Sequence, residues 1–244
     1  MTREITVRDC EHVQTSWYRT RAEVLGGRVW QDGPLTWTTD REGMHLMFPR
    51  TLPQAAVARG VALARDLDVG IGVWLGLDVD AAPLAAAGFE RGWSPWWMTA
   101  ACADIAVAIG GDGDPRVELQ EDTQDYTGEF ADYRAELALA CVRPQHSWYA
   151  AAYTHRPGGH FAGRAWSHLT GDLAGVFDMA VWPAFRRRGL GTGLLHAVTA
   201  AAASAGADHV VLNATPEGKK LYQQCGLVQI GEGITWWLFT DPRS

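Results

Sequence analysis

Cysteine is scarce in this chain and poorly spaced for its usual structural uses. The four Cys stand at 10, 102, 141 and 225 with no C-x-x-C pair. That excludes a dense disulfide framework and suits reduced thiols in a cytoplasm. Histidine offers no metal site: His155, His160 and His168 come nearest to a cluster, and their spacing fits no common zinc pattern. Long apolar runs are missing as well. The softest stretch, 96–110, is too short to cross a bilayer and is broken by Asp104. The N-terminal MTREITVRDCEH is charged and lacks the apolar core of a secretion signal. Positive charge is in deficit: 21 Lys and Arg against 28 Asp and Glu leave a net charge of −7, where a nucleic-acid binder shows a basic face. The expectation is a cytoplasmic protein with no metal, no membrane and no nucleic acid among its partners, and a mild preference for cationic ones.

What is present is an ordinary globular composition, 47% hydrophobic and 20% charged, with an unusual 12 Trp. A length of 244 residues suits two small domains. The most informative stretch is DMAVWPAFRRRGLGTGLL, residues 178–195. An apolar strand over Val176–Val181 runs into a basic, Gly-rich turn, which opens directly into an Ala/Leu-rich helix over Leu190–Ser204, closed by Gly206. Arg186, Gly189 and Gly191 make the pattern R-x-x-G-x-G. Glycine lets the backbone approach a ligand closely. The first N–H groups of a helix have no partners within it, and with the helix dipole they seat phosphate. Arg187 and Arg188 add positive charge. The turn is neither G-x-G-x-x-G nor G-x-x-x-x-G-K-[ST]. The plainer alternative is a Gly-rich turn with solvated arginines.

Strand, V-x-P, R-x-x-G-x-G and helix together resemble the acetyl-CoA site of the GNAT (general-control-type N-acetyltransferase) superfamily. The next segment, LNATPEGKKLYQQCGL, is similar to that family's following strand, short helix and Tyr before a G-[FL] turn. Thr215-Pro216 there reads as an N-cap and first helical position. The resemblance covers roughly residues 115–240. It implies an α/β fold of the mixed-sheet α+β kind, and acetyl-CoA as acyl donor without a metal. It further implies cofactor contacts from Met179, Ala180 and Val181 at the strand end, from Arg186, Arg187, Arg188, Gly189, Leu190, Gly191, Thr192 and Gly193 in the turn, and from Asn213 on the next strand. The family's second Asn is replaced here by Pro216.

The chain also repeats itself. The run 110–115, GGDGDP, reads as a linker. Setting Gly88 against Gly226 lays VGIGVWLGLDVDAAPLAAAGF over the strand, helix and turn of the second half, and both copies continue into a Trp pair, Trp96-Trp97 and Trp236-Trp237. Setting Gly43 against Gly175 lays GMHLMFP over GVFDMAV. The first copy lacks the Arg/Gly turn and has Leu84 in place of Tyr222. The expected organisation is two tandem GNAT-like domains: a degenerate one at 1–109 without a cofactor site, a linker at 110–115, and an active one at 116–244. Similar strand–helix–strand units arising independently are the alternative.

Acyl transfer from a thioester to an amine needs a neutral amine, a held carbonyl oxygen and a stabilised thiolate. By resemblance, a backbone N–H at Val181 or its neighbour would hold the oxygen; one such donor is worth about 100-fold or more. Tyr222 is the candidate partner of the thiolate. Its phenol, at about 10 against about 8.5 for a thiol, suits a hydrogen bond better than full proton transfer. Leu221 and Cys225 supply an apolar stripe, and Tyr222, offset from it, is expected to point towards a cleft; a core aromatic is the alternative. Asp178 interrupts an apolar strand and is the candidate base or ammonium anchor, favoured by a raised pKa or by pairing. Many family members carry Glu three residues earlier, at Gly175 here, which leaves the base open. A carboxylate at a solvent edge is the other reading of Asp178.

The acceptor side is expected from 116–170, with a strand at Val117–Gln120, a helix at Tyr126–Ala140, and a hairpin of Trp148–Tyr153 and Gly163–Leu169. Its Trp148, Tyr149, Tyr153, Phe161 and Trp166, with Glu129, Asp132 and Glu136, suit either a cationic amine or a core and a solvated helix face. The function read from the sequence is an acetyl-CoA-dependent N-acetyltransferase acting on a primary amine of a small molecule, an antibiotic or a metabolite, by direct attack in a ternary complex, as a monomer or homodimer. The alternatives are a non-catalytic acyl-CoA-binding or scaffold protein, and an O-acyl or longer-chain acyltransferase.

Overall fold

The structure is a computed structural model that describes residues 3–40, 43–110, 113–120, 137, 140–143 and 145–239. It contains two mixed α/β sheets, as expected, and divides into two compact units. The larger unit comprises Met1–Val13 and Trp97–Ile230, the smaller Gln14–Trp96 and Gly231–Ser244. Most of the helix expected at Tyr126–Ala140 lies outside the described residues. So do Glu129, Asp132 and Glu136, and Gly111 and Asp112 of the linker.

Helix α1 (Val7–Val24) begins in the larger unit and runs on into the smaller. The smaller unit continues with β1 (Arg28–Asp32), β2 (Leu35–Asp40), β3 (Gly43–Met47), α2 (Gln54–Leu67), β4 (Ile71–Leu75), α3 (Ala82–Ala86) and β5 (Glu90–Arg91). Every residue of β3 and β4 is buried, and the two pair in parallel, which suits the apolar run IGVWL and the run GMHLM, apolar but for the buried His45. Helix α2 lies close on Trp37: a Cβ at Gly60 would stand 2.4 Å from the indole, so glycine there permits the approach.

The larger unit contains β6 (Trp96–Ala101), α4 (Cys102–Ile109), β7 (Val117–Gln120), β8 (Ser147–Tyr153), β9 (Phe161–Thr170), β10 (Leu173–Val181), α5 (Leu190–Ser204), β11 (His209–Ala214), α6 (Pro216–Gln224) and β12 (Val228–Glu232). Strands β7 to β10 are successive antiparallel neighbours, and β10 pairs in parallel with β11. Helix α5 covers one face, where the Ser167 hydroxyl donates to the Val198 carbonyl at 3.0 Å.

Compactness does not divide the chain at 110–115. The last strand of each half joins the sheet of the other half. In the larger unit β6 lies between β11 and β12. In the smaller unit the C-terminal strand β13 (Ile234–Leu238) lies between β4 and β5. Both strands are apolar and contain a Trp pair, at the start of β6 and within β13.

The repeat is visible in both units. Gly88 and Gly226 close their helices at φ +89° and +90°, and Leu84 and Tyr222 are both buried. The correspondence of β3 with β10 differs from the one read in the sequence. Met47 lies opposite Trp74 as Val176 lies opposite Leu212. Met47, not Met44, therefore matches Val176. Runs of small and apolar residues tolerate such a shift, whereas the ladder does not.

Candidate active site

The site is built where β10 parts from β11. Their parallel ladder ends at Val176–Leu212, while β10 continues to Val181 and β11 to Ala214. On its other side β10 stays with β9 but slips. Phe177 faces Trp166 and Ala180 faces Arg164, so one extra residue is accommodated at Asp178–Met179. Asp178 takes φ +48°, a left-handed conformation that Asp tolerates better than most residues. This is the β-bulge that the sequence does not reveal. A bulge unpairs one residue and re-aims the strand, so Met179, Ala180 and Val181 leave it alongside the opening between the strands. In the smaller unit the matching ladder ends at the equivalent pair, Met47–Trp74, and Phe48 follows at φ +44°, but Phe48 and Leu52 are buried where the chain turns towards α2 and no Arg/Gly turn follows.

Beyond Val181 the chain makes a single 3-10 turn, Pro183–Phe185, then the basic turn. Arg187 at φ +64° and Gly189 at φ +83° bend the backbone, and Gly189 caps α5 with no side-chain bond. No hydrogen-bond partner appears among the described residues for the N–H groups of 187–192; the first to pair is Gly193, with the Gly189 carbonyl at 3.1 Å. A run of unpartnered amides at a helix N-terminus fits a pyrophosphate.

The three arginines divide their tasks. Arg186 donates through Nε to the Val181 carbonyl at 2.9 Å, tying turn to strand. Arg188 donates to the Ala184 carbonyl at 3.3 Å and lies over the Phe185 ring. Arg187 is exposed and has no side-chain partner among the described residues, leaving its charge available to an anion. The glycines divide too. A Cβ at Gly191 would stand 3.1 Å from Leu221, and one at Gly193 would stand 2.7 Å from the Asp114 Cβ, so these two serve close packing of α5. Sequence reasoning missed Arg116. It sits beside the expected linker, pairs with both carboxylate oxygens of Asp114 at 2.9 and 2.6 Å, and donates to the Arg188 carbonyl at 2.8 Å.

Helix α6 is capped by Thr215, whose hydroxyl oxygen accepts from the Gly218 N–H at 3.2 Å. Tyr222 is the buried residue of this helix, while Leu221 is only half-buried. Cys225 of the expected apolar stripe is buried as well, so Tyr222 is no more exposed than the stripe itself. The phenol ring leans back over Gly218, where a Cβ would stand 2.9 Å from it. Burial, with a smaller contribution from Cys225, pushes the Tyr222 phenol up to about 12. The Cys225 thiol is itself raised by burial and hydrogen-bonded to Thr192. Asn213 is half-buried on the part of β11 beyond the ladder. Asp178 is exposed, not set among apolar side chains as the strand pattern suggested, because the bulge turns it outward.

The position where family members carry Glu is closed. A Cβ at Gly175 would fall 2.4 Å from the Phe177 ring and 2.7 Å from Val13 of α1. Among the hairpin aromatics, Tyr149 and Trp166 are core residues in edge contact at 4.7 Å. Tyr153, Phe161 and Trp182 form a row beside the bulge, with centroids 6.2 and 5.6 Å apart. Arg156 covers Tyr153 and is paired with Glu118. Among the described residues no group of three or more His, Cys, Asp or Glu is placed to hold a metal ion, and no helix is long and apolar enough to cross a membrane.

Parallel strands that part, a bulge where they do and an amide-lined turn opening a helix lie together in the larger unit, and comparison places this part of the chain among acyltransferases. The family follows from comparison: residues 116–227 match the acetyltransferase (GNAT) family, and this part of the chain is a GNAT acetyltransferase domain. The family transfers acetyl groups from acetyl-CoA. No curated protein matches the chain. Among solved structures, the chain is similar to a GCN5-related N-acetyltransferase from Kribbella flavida, with 14% identity, TM-score 0.62 and 96% of each chain covered. It is similar to a tandem GNAT protein from the clavulanic acid biosynthesis pathway, with 16% identity, TM-score 0.54, 86% of this chain and 79% of that one. A GCN5-related N-acetyltransferase-like protein from Streptococcus suis gives 11% identity, TM-score 0.59 and coverage of 96% and 98%. At these identities the likeness is one of fold.

Proposed function

We propose that this chain is an acetyl-CoA-dependent N-acetyltransferase that acetylates a primary amine of a small molecule by direct attack in a ternary complex, with the active site in the larger unit. The observation that carries the reading is the conjunction of the bulge at Asp178–Met179 with unpartnered amides over 187–192. The amides and Arg187 would hold the pyrophosphate. The opening between β10 and β11, with Asn213 on its far side, would take the pantetheine arm. Acetyl-CoA supplies an acetyl group activated as a thioester. A backbone N–H of 179–181 would hold the thioester oxygen as it gains charge, a preorganised donor in a partly buried site. Tyr222 would donate a hydrogen bond to the departing sulfur. With a phenol near 12 against about 8.5 for a thiol, full proton transfer is uphill by about 5 kcal/mol, so its part is to donate without releasing the proton. Asp178, exposed beside the opening, would anchor the acceptor's ammonium or draw its proton through water. The smaller unit, which has no Arg/Gly turn and buries Phe48 and Leu52 where the chain leaves β3, would bind no donor.

Calorimetric titration of the full chain with acetyl-CoA tests the reading, with Arg187→Glu alongside. One site per chain, weakened in the variant, is expected; a screen of small amines then follows by thiol release. Absence of binding would overturn the donor assignment, and two sites would overturn the reading of the smaller unit.

A further inference from the structure

The segment before β7 does more than join two halves of the chain. Arg116 makes four hydrogen bonds there: its own N–H and its Nε reach one Asp114 oxygen, both at 2.9 Å, its Nη2 reaches the other at 2.6 Å, and the same Nη2 reaches the Arg188 carbonyl at 2.8 Å. The backbone is tied in as well. The Val117 N–H donates to the Asp114 carbonyl and the Tyr153 N–H to the Arg116 carbonyl, both at 2.9 Å, so the guanidinium is mounted on the sheet edge. Helix α5 lies hard against this segment, since Gly193 has no room for a Cβ beside Asp114 and Val117.

The Arg188 carbonyl belongs to the peptide unit that ends in the Gly189 N–H. In a planar trans peptide those two groups point in opposite directions. Holding the carbonyl on the Arg116 side therefore aims the Gly189 N–H away from it, towards the mouth of the turn. Gly189, at φ +83°, has little conformational preference of its own to fix that plane. The guanidinium tip stands 3.7 Å from where a Gly189 Cβ would be, so the constraint acts at the pivot itself.

We propose that Arg116 and Asp114 form a clasp that sets the 188–189 peptide plane, making Arg116 a positioning residue for the pyrophosphate of the donor. It aims an amide donor and is itself neutralised by Asp114. The inference rests on the reading of this turn as the pyrophosphate seat.

The test compares two probes on the full chain: acetyl-CoA, and acetyl-pantetheine, which keeps the thioester arm and lacks the pyrophosphate. Wild type is expected to prefer acetyl-CoA strongly. Arg116→Gln should weaken acetyl-CoA binding about 10-fold, the scale of a charge-assisted hydrogen bond, and leave acetyl-pantetheine unchanged. Arg116→Lys should recover part of the loss. Asp114→Asn should also weaken acetyl-CoA, because the guanidinium loses its mount; tighter binding would mean that Arg116 contacts phosphate directly and would overturn the clasp. An equal loss for both probes in Arg116→Gln would show a general packing role and overturn it too, as would a variant that keeps the full preference. A wild type that binds the two probes alike would refute the pyrophosphate seat itself, a distinct failure.

Discussion

Tyr222 and His168 are both buried, and burial has opposite consequences for their proton affinity. A phenol held near 12 stays protonated through the working range, so Tyr222 contributes no basic limb to a pH–rate profile. Tyr222→Phe is expected to lower turnover about 10- to 100-fold with acetyl-CoA affinity unchanged by calorimetry; unaltered turnover would remove the tyrosine from the mechanism. His168 is held near 4 by burial first, then by the neighbouring His146 and Arg143, against an ordinary 6.5. Its Nδ1 lies 2.9 Å from the Ser147 hydroxyl, on the sheet face that includes Gly175. Below about 6.5 the unfolded chain takes up a proton that the folded chain refuses. Stability is therefore level above that pH and falls as pH drops towards 4, by about 3 kcal/mol in all. Urea midpoints at pH 7 and pH 4.5 check this, and His168→Gln should flatten the difference; an equally steep loss in the variant would place the acid sensitivity elsewhere.

Strand β10 shows how far element patterns can be read from a sequence. Its apolar run, the following turn and α5 are legible residue by residue, because a helix that starts at a glycine turn and ends before Gly206 is punctuated at both ends. The bulge is not legible. Asp178 within GVFDMAV suggests a buried carboxylate, and only the slip between Phe177 and Ala180 shows a residue turned out of the ladder at φ +48°. The division of labour among Arg186, Arg187 and Arg188 is hidden for a related reason: a motif shows charge, whereas the carbonyls at Val181 and Ala184 that consume two of the three are set by the path of the turn. Charge and conformation at 178 separate by substitution. Asp178→Asn tolerates the left-handed conformation, so its melting temperature should match wild type while the apparent KM for the amine rises about 10-fold. Asp178→Val puts a β-branched residue at positive φ and should cost about 1–2 kcal/mol with loss of turnover. Loss of stability in Asp178→Asn would show that its charge holds the bulge rather than the acceptor.

At the scale of the whole molecule, the two halves are legible as repeats and their exchange of strands is not. Gly88 and Gly226, and Leu84 and Tyr222, mark equivalent places. Pattern alone assigns each Trp strand to the half that encodes it, yet β6 completes the sheet of the larger unit and β13 that of the smaller. The strand beside β11, the strand that carries Asn213, therefore comes from the first half of the sequence, with the Thr99 hydroxyl donating to the Val210 carbonyl at 2.8 Å. A chain reduced to 113–244 would leave β11 and β12 without the strand between them, and would expose the apolar edge that β6 covers. Expressed alone, this fragment is expected to aggregate or to bind no acetyl-CoA, although it contains every residue of the proposed donor site. Co-expression with 1–110 should restore a soluble pair that binds acetyl-CoA within a few-fold of the intact chain, because each fragment then supplies the strand the other's sheet lacks. The same exchange gives the first half, proposed above to bind no donor, a structural part in the sheet of the other half. A fragment 113–244 that folds alone and binds acetyl-CoA as tightly as the full chain would show that β6 is dispensable to the site, and the first half would then need another role.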